Sequence, residues 1–299
     1  MLYQHSHNSR RWTPEAESAA QLACRNLGDW TPAVNEIHSW PEYRPQPSWS
    51  LPHLALRTGL GQITLQDESQ RFGRTMASFK ALGAPYAISR LLARHVSQRL
   101  GVDEPSAEQL RSGLYRHITQ DIVVTVATDG NQGRGIAYGA NVFGCRAVVY
   151  VHAHVSAARR QAMQQLGALV IRVDGEYEAS VARAREDARM NGWHFVSSTS
   201  WDDFAGDIAR DVMRGYMVMV EETAAGFAAG LQPTHVFVHG GVGSIVAAVF
   251  LGLHQKGWRS RFVAVEPLEA ACLYESAVAG HPKPARGSLK TVMAGLACR

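Results

Sequence analysis

The sequence predicts an α/β protein in which parallel β-strands are covered by α-helices. Three observations support this prediction. Apolar, β-branched segments alternate along the chain with amphipathic segments of roughly 10–15 residues, which is the pattern of βαβ units. Glycine-rich turns such as ATDGNQGRG and HGGVGS lie between them. The chain has 299 residues, of which 46% are hydrophobic, so it is long enough for one large or two ordinary domains with buried cores.

Each segment is assigned from its residue pattern. The predicted strands are GQITLQDES, DIVVTVA, CRAVVYVHA, ALVIRVDG, WHFVSST, THVFVHG and RFVAVEP. The predicted helices are ASFKALGAPYAISRLLARHVSQRL, GRGIAYGANVFG, SAARRQAMQQLG, EYEASVARAREDARMNG, FAGDIARDVMRGYMVMVEETAAGFAAG (one long helix or a pair) and SIVAAVFLGLHQKG. Gly83 and Pro85 allow a break in the first helix, since proline removes a backbone hydrogen bond. In the first fifty residues, PEYRPQPSWSLP is typical of extended irregular chain.

The alternation also predicts how the chain is divided. Parallel strands joined by right-handed crossovers indicate a smaller, four-stranded α/β domain at about residues 84–199. Residues 1–83 and 200–299 would then form a larger, discontinuous domain.

The composition excludes several classes of protein. The net charge is only +4 and the arginines have no aromatic interleaving, so no nucleic-acid partner is expected. The N-terminus MLYQHSHNSRRWTP has no apolar secretory region, and the longest apolar stretch, VFVHGGVGSIVAAVFLGL, contains four glycines and a histidine. The four cysteines form no CxxC pair and are interpreted as reduced thiols. We therefore expect a cytoplasmic protein that does not enter a membrane, and His152 and His154, without a third ligand, predict no metal site.

The HGGVGS turn, His239 to Ser244, follows a β-branched strand and precedes an apolar helix. Its glycines allow successive backbone N–H groups to face a ligand, and the helix N-terminus adds partial positive charge. The turn therefore predicts a site for a single phosphate, because the GxGxxG pattern of a dinucleotide fold is absent. A tight turn that needs glycine only for its geometry is the alternative.

ATDGNQGRG, Ala127 to Gly135, is a second glycine-rich loop at the carboxyl end of a predicted strand. Ligands of open α/β sheets bind at such ends. Asp129 and Asn131 are therefore candidate site residues, although Asp129 as a helix N-cap explains the position equally well.

Lys80 is one of only four lysines and lies within an apolar segment after Phe79. A partly desolvated lysine has a lowered pKa and a nucleophilic amine, whereas a helix lysine that extends to the surface is the alternative. Together, a reactive lysine, a phosphate loop and an Asp/Asn loop are the parts needed to hold pyridoxal 5′-phosphate (PLP).

Six stretches also resemble a known family. RFGRTMASFKALG, ATDGNQGRGIAYGAN, STSW, QPTHVFVHGGVGS, AVEP and TVMAGLAC occur in the order found in diaminopropionate ammonia-lyases, of the tryptophan-synthase-β-like (type II) class of PLP enzymes. The resemblance implies a type II fold in two domains and α,β-elimination of ammonia from 2,3-diaminopropionate, which gives pyruvate and ammonia. It also implies a homodimer acting on a small amino acid.

The resemblance assigns roles to residues of this chain. Lys80 matches the lysine that bonds to the cofactor aldehyde and moves protons, and Asp129 matches the general base at the substrate Cα. Thr128 and Ser198 fall where substrate contacts are expected. The cofactor-binding positions are Lys80, Asn131, Gly240, Gly241, Val242, Gly243 and Ser244.

The chain departs from the family pattern at three places. Ser198 stands where members have a second aspartate, which leaves the preference between enantiomers open, with Asp202 and Asp203 nearby in sequence. Gln132 replaces the usual histidine. Members also continue beyond TVMAGLAC, so the larger domain is expected to be incomplete at its C-terminus. An inactive homologue that binds only PLP or a partner, and a lyase for serine- or threonine-like substrates, are the alternatives.

Overall fold

The computed structural model describes residues 6–8, 13–128, 130–200, 206–228 and 231–298. The helices of these residues are α1 (Pro14–Leu27), α2 (Thr31–His38), α3 (Pro52–Thr58), α4 (Gly73–Met76), α5 (Lys80–Leu100), α6 (Ala107–Arg111), α7 (Arg116–Thr119), α8 (Asn131–Phe143), α9 (Ala157–Gln165), α10 (Tyr177–Asn191), α11 (Asp207–Ala225), α12 (Ser244–Gln255) and α13 (Cys272–Ala279). The strands are β1 (Ser48–Ser50), β2 (Thr64–Gln66), β3 (Val123–Ala127), β4 (Arg146–His152), β5 (Leu169–Val173), β6 (His194–Phe195), β7 (His235–His239) and β8 (Arg261–Val265).

A four-stranded parallel sheet in the order β5-β4-β3-β6 confirms the predicted α/β class. All five residues of β3 are buried, because helices cover both faces of the sheet. Val124 and Val126 belong to the main hydrophobic core with α5 and α8, whereas Val123 and Ala127 pack with residues of α10. Strand β6 is shorter than the predicted 193–199, because the serine-rich residues after Val196 leave the sheet.

Two smaller sheets accompany this one. Strands β7 and β8 pair in parallel, from His235 opposite Arg261 to His239 opposite Val265, as expected for a βαβ unit around α12. Strands β1 and β2 pair antiparallel across the intervening α3. The sequence predicted β2 but treated the β1 region as irregular.

Helix α5 packs closely against both α8 and α11 through glycines. A Cβ on Gly139 of α8 would lie 2.8 Å from Pro85 Cα, and one on Gly215 of α11 would lie 2.6 Å from the Leu82 carbonyl oxygen. The helix runs unbroken from Lys80 to Leu100, so the break allowed for at Gly83 and Pro85 does not occur. Close packing on two neighbouring helices offsets the hydrogen bond that the proline removes.

Helices α1 and α2 were not predicted. The Thr13 hydroxyl accepts a hydrogen bond from the Ala16 N–H at 3.2 Å, and Pro14 occupies the first turn, so α1 has an ordinary N-terminus. Trp30, Ile37 and Trp40, in and around α2, are buried in the main core. Their burial explains two of the tryptophans, Trp30 and Trp40, of a region that resembled irregular chain.

The segment before Lys80 is fixed by a buried ion-pair cluster. The Arg71 guanidinium is fully buried and donates to both oxygens of Glu68 and both of Glu222, at 2.6–2.8 Å. Burial acts to lower the pKa of Arg71, but the hydrogen bonds and charges of the two carboxylates raise it overall. Because Glu222 lies on α11, the cluster ties the start of α5 to that helix.

The predicted division at residues 84 and 199 stays a prediction. The main core includes residues from both proposed units, for example Trp30 and Val212 together with Ile136. Within the described ranges, none of the helices combines the length and the apolar character needed to cross a membrane.

Candidate active site

Three helices begin at the same cleft. Lys80, Asn131 and Ser244 are the first residues of α5, α8 and α12, and all three line a cavity of about 1980 Å³. The first backbone N–H groups of a helix have no intrahelical partner, and the helix dipole gives this end partial positive charge. The cleft therefore favours a ligand that carries anionic groups.

Lys80 lies between two hydroxyls and two aromatic rings. Its Nζ is 3.1 Å from the Tyr216 hydroxyl and 3.4 Å from Ser198 Oγ, and it lies 5.1 Å from the centre of the Phe79 ring. Burial lowers the pKa of Lys80 to about 8, with a small opposing effect of Cys298. The amine is therefore unprotonated in an appreciable fraction of molecules near neutral pH, as a nucleophilic lysine requires.

Tyr216 is a site residue that the sequence did not reveal. It lies on α11, fully buried, and burial raises the pKa of its phenol so that it stays protonated. The segment GYMVMV suggests only a core helix, and 136 positions separate Tyr216 from Lys80. Only the crossing of α5 and α11 brings the two side chains together.

The HGGVGS loop forms much of one wall. Gly241 to Ser244 line the cleft, and Gly243 has a φ of 102°, a left-handed conformation that favours glycine. A Cβ on Gly241 would lie 3.0 Å from Cys298 Sγ, so no larger residue fits there without movement. The Ser244 hydroxyl is buried and has no hydrogen-bond partner among the described residues. An anion at the start of α12 would supply that partner.

Gly240 differs from the rest of this loop. Its N–H donates to the Val265 carbonyl at 2.8 Å and extends the pairing of β7 with β8. Gly240 is not among the residues that line the cleft. Its N–H is therefore committed to the sheet, and the predicted cofactor contact of Gly240 stays a prediction.

Thr128 and Asn131 line the cleft, and their predicted roles stay predictions. The Thr128 hydroxyl accepts a hydrogen bond from the Gly130 N–H at 3.1 Å, and the Thr128 N–H donates to the Tyr150 carbonyl at 3.0 Å. These bonds fix the turn between β3 and α8, so Thr128 has a structural role beside any contact with substrate. Asp129 lies outside the described residues.

The residues after β6 complete the cleft. Ser198 lines it with its hydroxyl near Lys80, whereas Asp202 and Asp203 lie outside the described residues. His239 also lines the cleft, with its ring centre 5.6 Å from that of Phe79. Burial and the charge of Lys80 lower the pKa of His239, so the imidazole is mostly neutral at neutral pH.

These residues fit pyridoxal phosphate. The cleft offers an amine of lowered pKa, a buried hydroxyl that lacks a hydrogen-bond partner among the described residues, and a glycine loop at a helix N-terminus. The family model described as pyridoxal-phosphate dependent enzyme matches residues 40–299. The chain belongs to this family. The match confirms the predicted class of enzyme and its cofactor.

Similar proteins agree with the resemblance found in the sequence. The diaminopropionate ammonia-lyase of Salmonella typhimurium is 34% identical over 303 residues, which cover 99% of this chain and 73% of the relative. The same enzyme of Escherichia coli strain K12 is 34% identical over 259 residues, or 86% of this chain and 63% of the relative.

A solved structure of diaminopropionate ammonia lyase from E. coli in complex with D-serine superposes with a TM-score of 0.77 at 31% identity. The superposition covers 93% of this chain and 67% of that one. Across these three comparisons, the chain spans 63–73% of the length of its relatives.

In the described part of the chain, no group of three or more His, Cys, Asp or Glu side chains is arranged to hold a metal ion. The rings of His152 and His154 lie 5.8 Å apart, and His154 Nε2 is 3.3 Å from a Glu176 carboxylate oxygen. These residues are polar groups at the end of β4.

Proposed function

We propose that this protein is a PLP-dependent ammonia-lyase that converts 2,3-diaminopropionate into pyruvate and ammonia. The observation that carries the proposal is the position of the Lys80 amine in a cleft at which α5, α8 and α12 all begin. Two of these helix ends can bind two separate anionic groups, a phosphate and a carboxylate. An amino acid joined to PLP has that pair of groups. The similarity to diaminopropionate ammonia-lyases supports the choice of substrate.

The chain's own residues would hold the cofactor as follows. The Ser244 hydroxyl and the N–H groups at the start of α12 would bind the phosphate, which gives the buried hydroxyl its partner. The Lys80 amine would bond to the aldehyde, and Asn131 would lie beside the ring hydroxyl. When bound, the cofactor supplies an electron-poor ring that takes up the electron pair released at the substrate Cα.

Protons would move at Lys80. Its pKa of about 8 allows the amine both to accept and to return a proton near neutral pH. Tyr216 and Ser198 hold Nζ by hydrogen bonds at 3.1 and 3.4 Å and so fix its direction. The N–H groups at the start of α8 would bind the substrate carboxylate, next to Thr128 and Ser198.

The D enantiomer is the expected substrate. Ser198 cannot act as a general base, because its hydroxyl is not basic at neutral pH. Asp129 remains the proposed base for the D form. We also propose a homodimer, which sedimentation velocity would test.

The test is a titration of the purified chain with PLP, followed by absorbance and run beside Lys80→Ala. We expect a saturable spectral change in the wild type that is lost in the variant. Lys256→Ala is the matched control, because Lys256 pairs with Glu221 and is not among the cleft residues. Pyruvate release from D- and L-2,3-diaminopropionate would then be measured. Equal turnover by the wild type and Lys80→Ala would contradict the mechanism.

A second candidate is elimination from serine-like substrates. The E. coli relative was solved in complex with D-serine, and a cleft without a carboxylate at Ser198 can hold a neutral side chain. Pyruvate from D-serine but not from D-2,3-diaminopropionate would favour this function. PLP binding without turnover of any of these amino acids would instead favour an inactive, cofactor-binding homologue.

A further inference from the structure

Ser198 places a hydroxyl beside the amine of Lys80 at the wall of the cleft. Ser198 Oγ lies 3.4 Å from Lys80 Nζ, and both residues line the cavity. The pair joins the first residue of α5 to the serine-rich segment that follows β6, 118 positions away. Among the described residues, this is the hydrogen bond that the Ser198 hydroxyl makes. A hydroxyl within hydrogen-bond reach of an amine base is the arrangement of a serine nucleophile.

The amine has the properties of a general base. Burial lowers the pKa of Lys80 to about 8, so near that pH much of the amine carries a free lone pair. A neutral amine accepts one hydrogen bond and keeps two hydrogens to donate. It can therefore accept the hydrogen of the Ser198 hydroxyl while it donates to Tyr216 Oη, 3.1 Å away. Tyr216 is fully buried and orients the base, as the third member of such an arrangement does.

The ammonium that forms when Lys80 takes up a proton is stabilised as well. Lys80 Nζ lies 5.1 Å from the centre of the Phe79 ring and 5.4 Å from that of the Tyr216 ring, within the range of a cation–π contact. The two rings meet edge to face at 5.2 Å, which fixes one relative to the other. Three helices also begin at this cleft, and their dipoles favour the negative oxygen that develops in acyl transfer.

We propose that Ser198, Lys80 and Tyr216 form a serine–lysine hydrolase site for small carboxylic esters in the PLP-free protein. Lys80 Nζ takes the proton of Ser198 while Oγ bonds to the ester carbonyl carbon, and the bond from that carbon to the alcohol oxygen then breaks. The ammonium gives its proton to the departing alkoxide, which leaves as an alcohol. Water, deprotonated by the same amine, attacks the acyl-serine and releases the carboxylic acid, and the proton returns to Ser198 Oγ.

This activity and the proposed lyase chemistry exclude each other. Both need the lone pair of Lys80, and an amine bonded to the PLP aldehyde no longer deprotonates a hydroxyl. PLP should therefore switch the hydrolysis off. Among the described residues, Cys298 on the C-terminal segment and His239 at the end of β7 also interact electrostatically with Lys80. Burial and the charge of Lys80 lower the pKa of His239 below 6.5, so a rise in rate near pH 8 belongs to Lys80.

The test measures hydrolysis of p-nitrophenyl acetate by the full chain, with PLP and after its removal by dialysis. The wild type is compared with Ser198→Ala, Lys80→Met and Tyr216→Phe, and melting temperatures verify that each variant is folded. Ser112→Ala is the matched control, because Ser112 is exposed. Mass spectrometry after a brief reaction locates the acetyl group. The chain has only four lysines, so acetylation of amines is readily mapped.

We expect the PLP-free wild type to release p-nitrophenol over many turnovers, with kcat/KM rising with pH to a plateau above about pH 8. Ser198→Ala and Lys80→Met should lower kcat/KM about a hundredfold, the effect of losing a nucleophile or its base. Tyr216→Phe should lower kcat with KM unchanged, because it leaves the base without its orienting partner. Ser112→Ala should match the wild type, the acetyl group should lie on Ser198, and saturating PLP should abolish turnover.

Several results would overturn the proposal. Acetylation of Lys80 after a single turnover would make the amine itself the nucleophile. Equal hydrolysis by the wild type and a folded Ser198→Ala variant would exclude Ser198. Hydrolysis that is unchanged in Lys80→Met, or by bound PLP, would exclude Lys80 as the base. PLP binding is read separately from absorbance, so failure of the proposed lyase function leaves these outcomes distinguishable.

Discussion

Replacing Lys80 by methionine should change how the stability of the PLP-free protein depends on pH. The pKa of Lys80 is about 8 in the folded chain, against 10.5 for an ordinary lysine. Between these values the unfolded chain holds a proton at this position that the folded chain has lost. The free energy of unfolding of the wild type therefore rises with pH in this range. Below about pH 8 both states are protonated, and the full cost of burying the ammonium remains.

The magnitude follows from the two pKa values. Each pKa unit corresponds to about 1.4 kcal/mol. From about pH 7 to about pH 10, the stability of the wild type should rise relative to Lys80→Met by up to about 2.5 kcal/mol. The hydrogen bonds to Tyr216 and Ser198 that the variant loses shift the difference by a constant and do not change this slope.

Urea unfolding followed by tryptophan fluorescence at several pH values measures this difference. Titrating groups that do not interact with Lys80 cancel between the two proteins, and His239, whose pKa burial and the charge of Lys80 lower below 6.5, titrates mostly below this pH range. Lys80→Arg is the control, because arginine stays protonated over the whole range and should differ from Lys80→Met by a constant amount. If the difference in free energy of unfolding between the wild type and Lys80→Met changes by less than about 0.5 kcal/mol from about pH 7 to about pH 10, the lowered pKa of Lys80 is refuted.

Three further substitutions test the packing and the site. Gly215→Ala should destabilise the protein by about 1–3 kcal/mol in urea unfolding, because the new Cβ would lie 2.6 Å from the Leu82 carbonyl oxygen. Glu222→Ala leaves the buried Arg71 with Glu68 as its one carboxylate partner among the described residues and should cost about 3–5 kcal/mol, seen as a large fall in melting temperature. Ser244→Ala should weaken PLP binding about tenfold in a titration without lowering the stability of the PLP-free chain, since the hydroxyl has no hydrogen-bond partner in the described part of the chain.

Each of these three substitutions has a control substitution at an exposed position. Gly61→Ala places a Cβ in open space and should be nearly neutral. Glu186→Ala breaks an exposed pair with Arg189 and should leave the melting temperature nearly unchanged. Ser112→Ala removes an exposed hydroxyl and should not change the affinity for PLP. Equal effects of a test variant and its control would contradict the corresponding contact.

The alternation of strands and helices in the sheet region was predictable because its causes are local. A β-branched run such as VVTVA is buried on both faces wherever it lies, and the amphipathic segments between the strands have one apolar face. Helices α1 and α2 were missed, although Pro14 and Pro32 stand at helix starts. In that segment the prolines and tryptophans suggested irregular chain. The helices form because their apolar residues pack against helices that are distant in sequence.

The candidate site was predictable only in part. Lys80, Asn131, Ser198 and the Gly241–Ser244 loop meet in one cleft, as the combined motifs suggested. The commitment of the Gly240 N–H to Val265 could not be foreseen, because it depends on how far β7 and β8 stay paired.

The sequence by itself determined the fold class, the cofactor family and the chemical type of most site residues, since these depend on local pattern and on short motifs. The tertiary structure alone decided that Tyr216 holds Lys80 and that the buried Gln132 amide has no hydrogen-bond partner among the described residues. Both facts depend on where helices cross and how deeply a side chain is desolvated. Such relations join residues far apart in the chain, and only the folded packing fixes them.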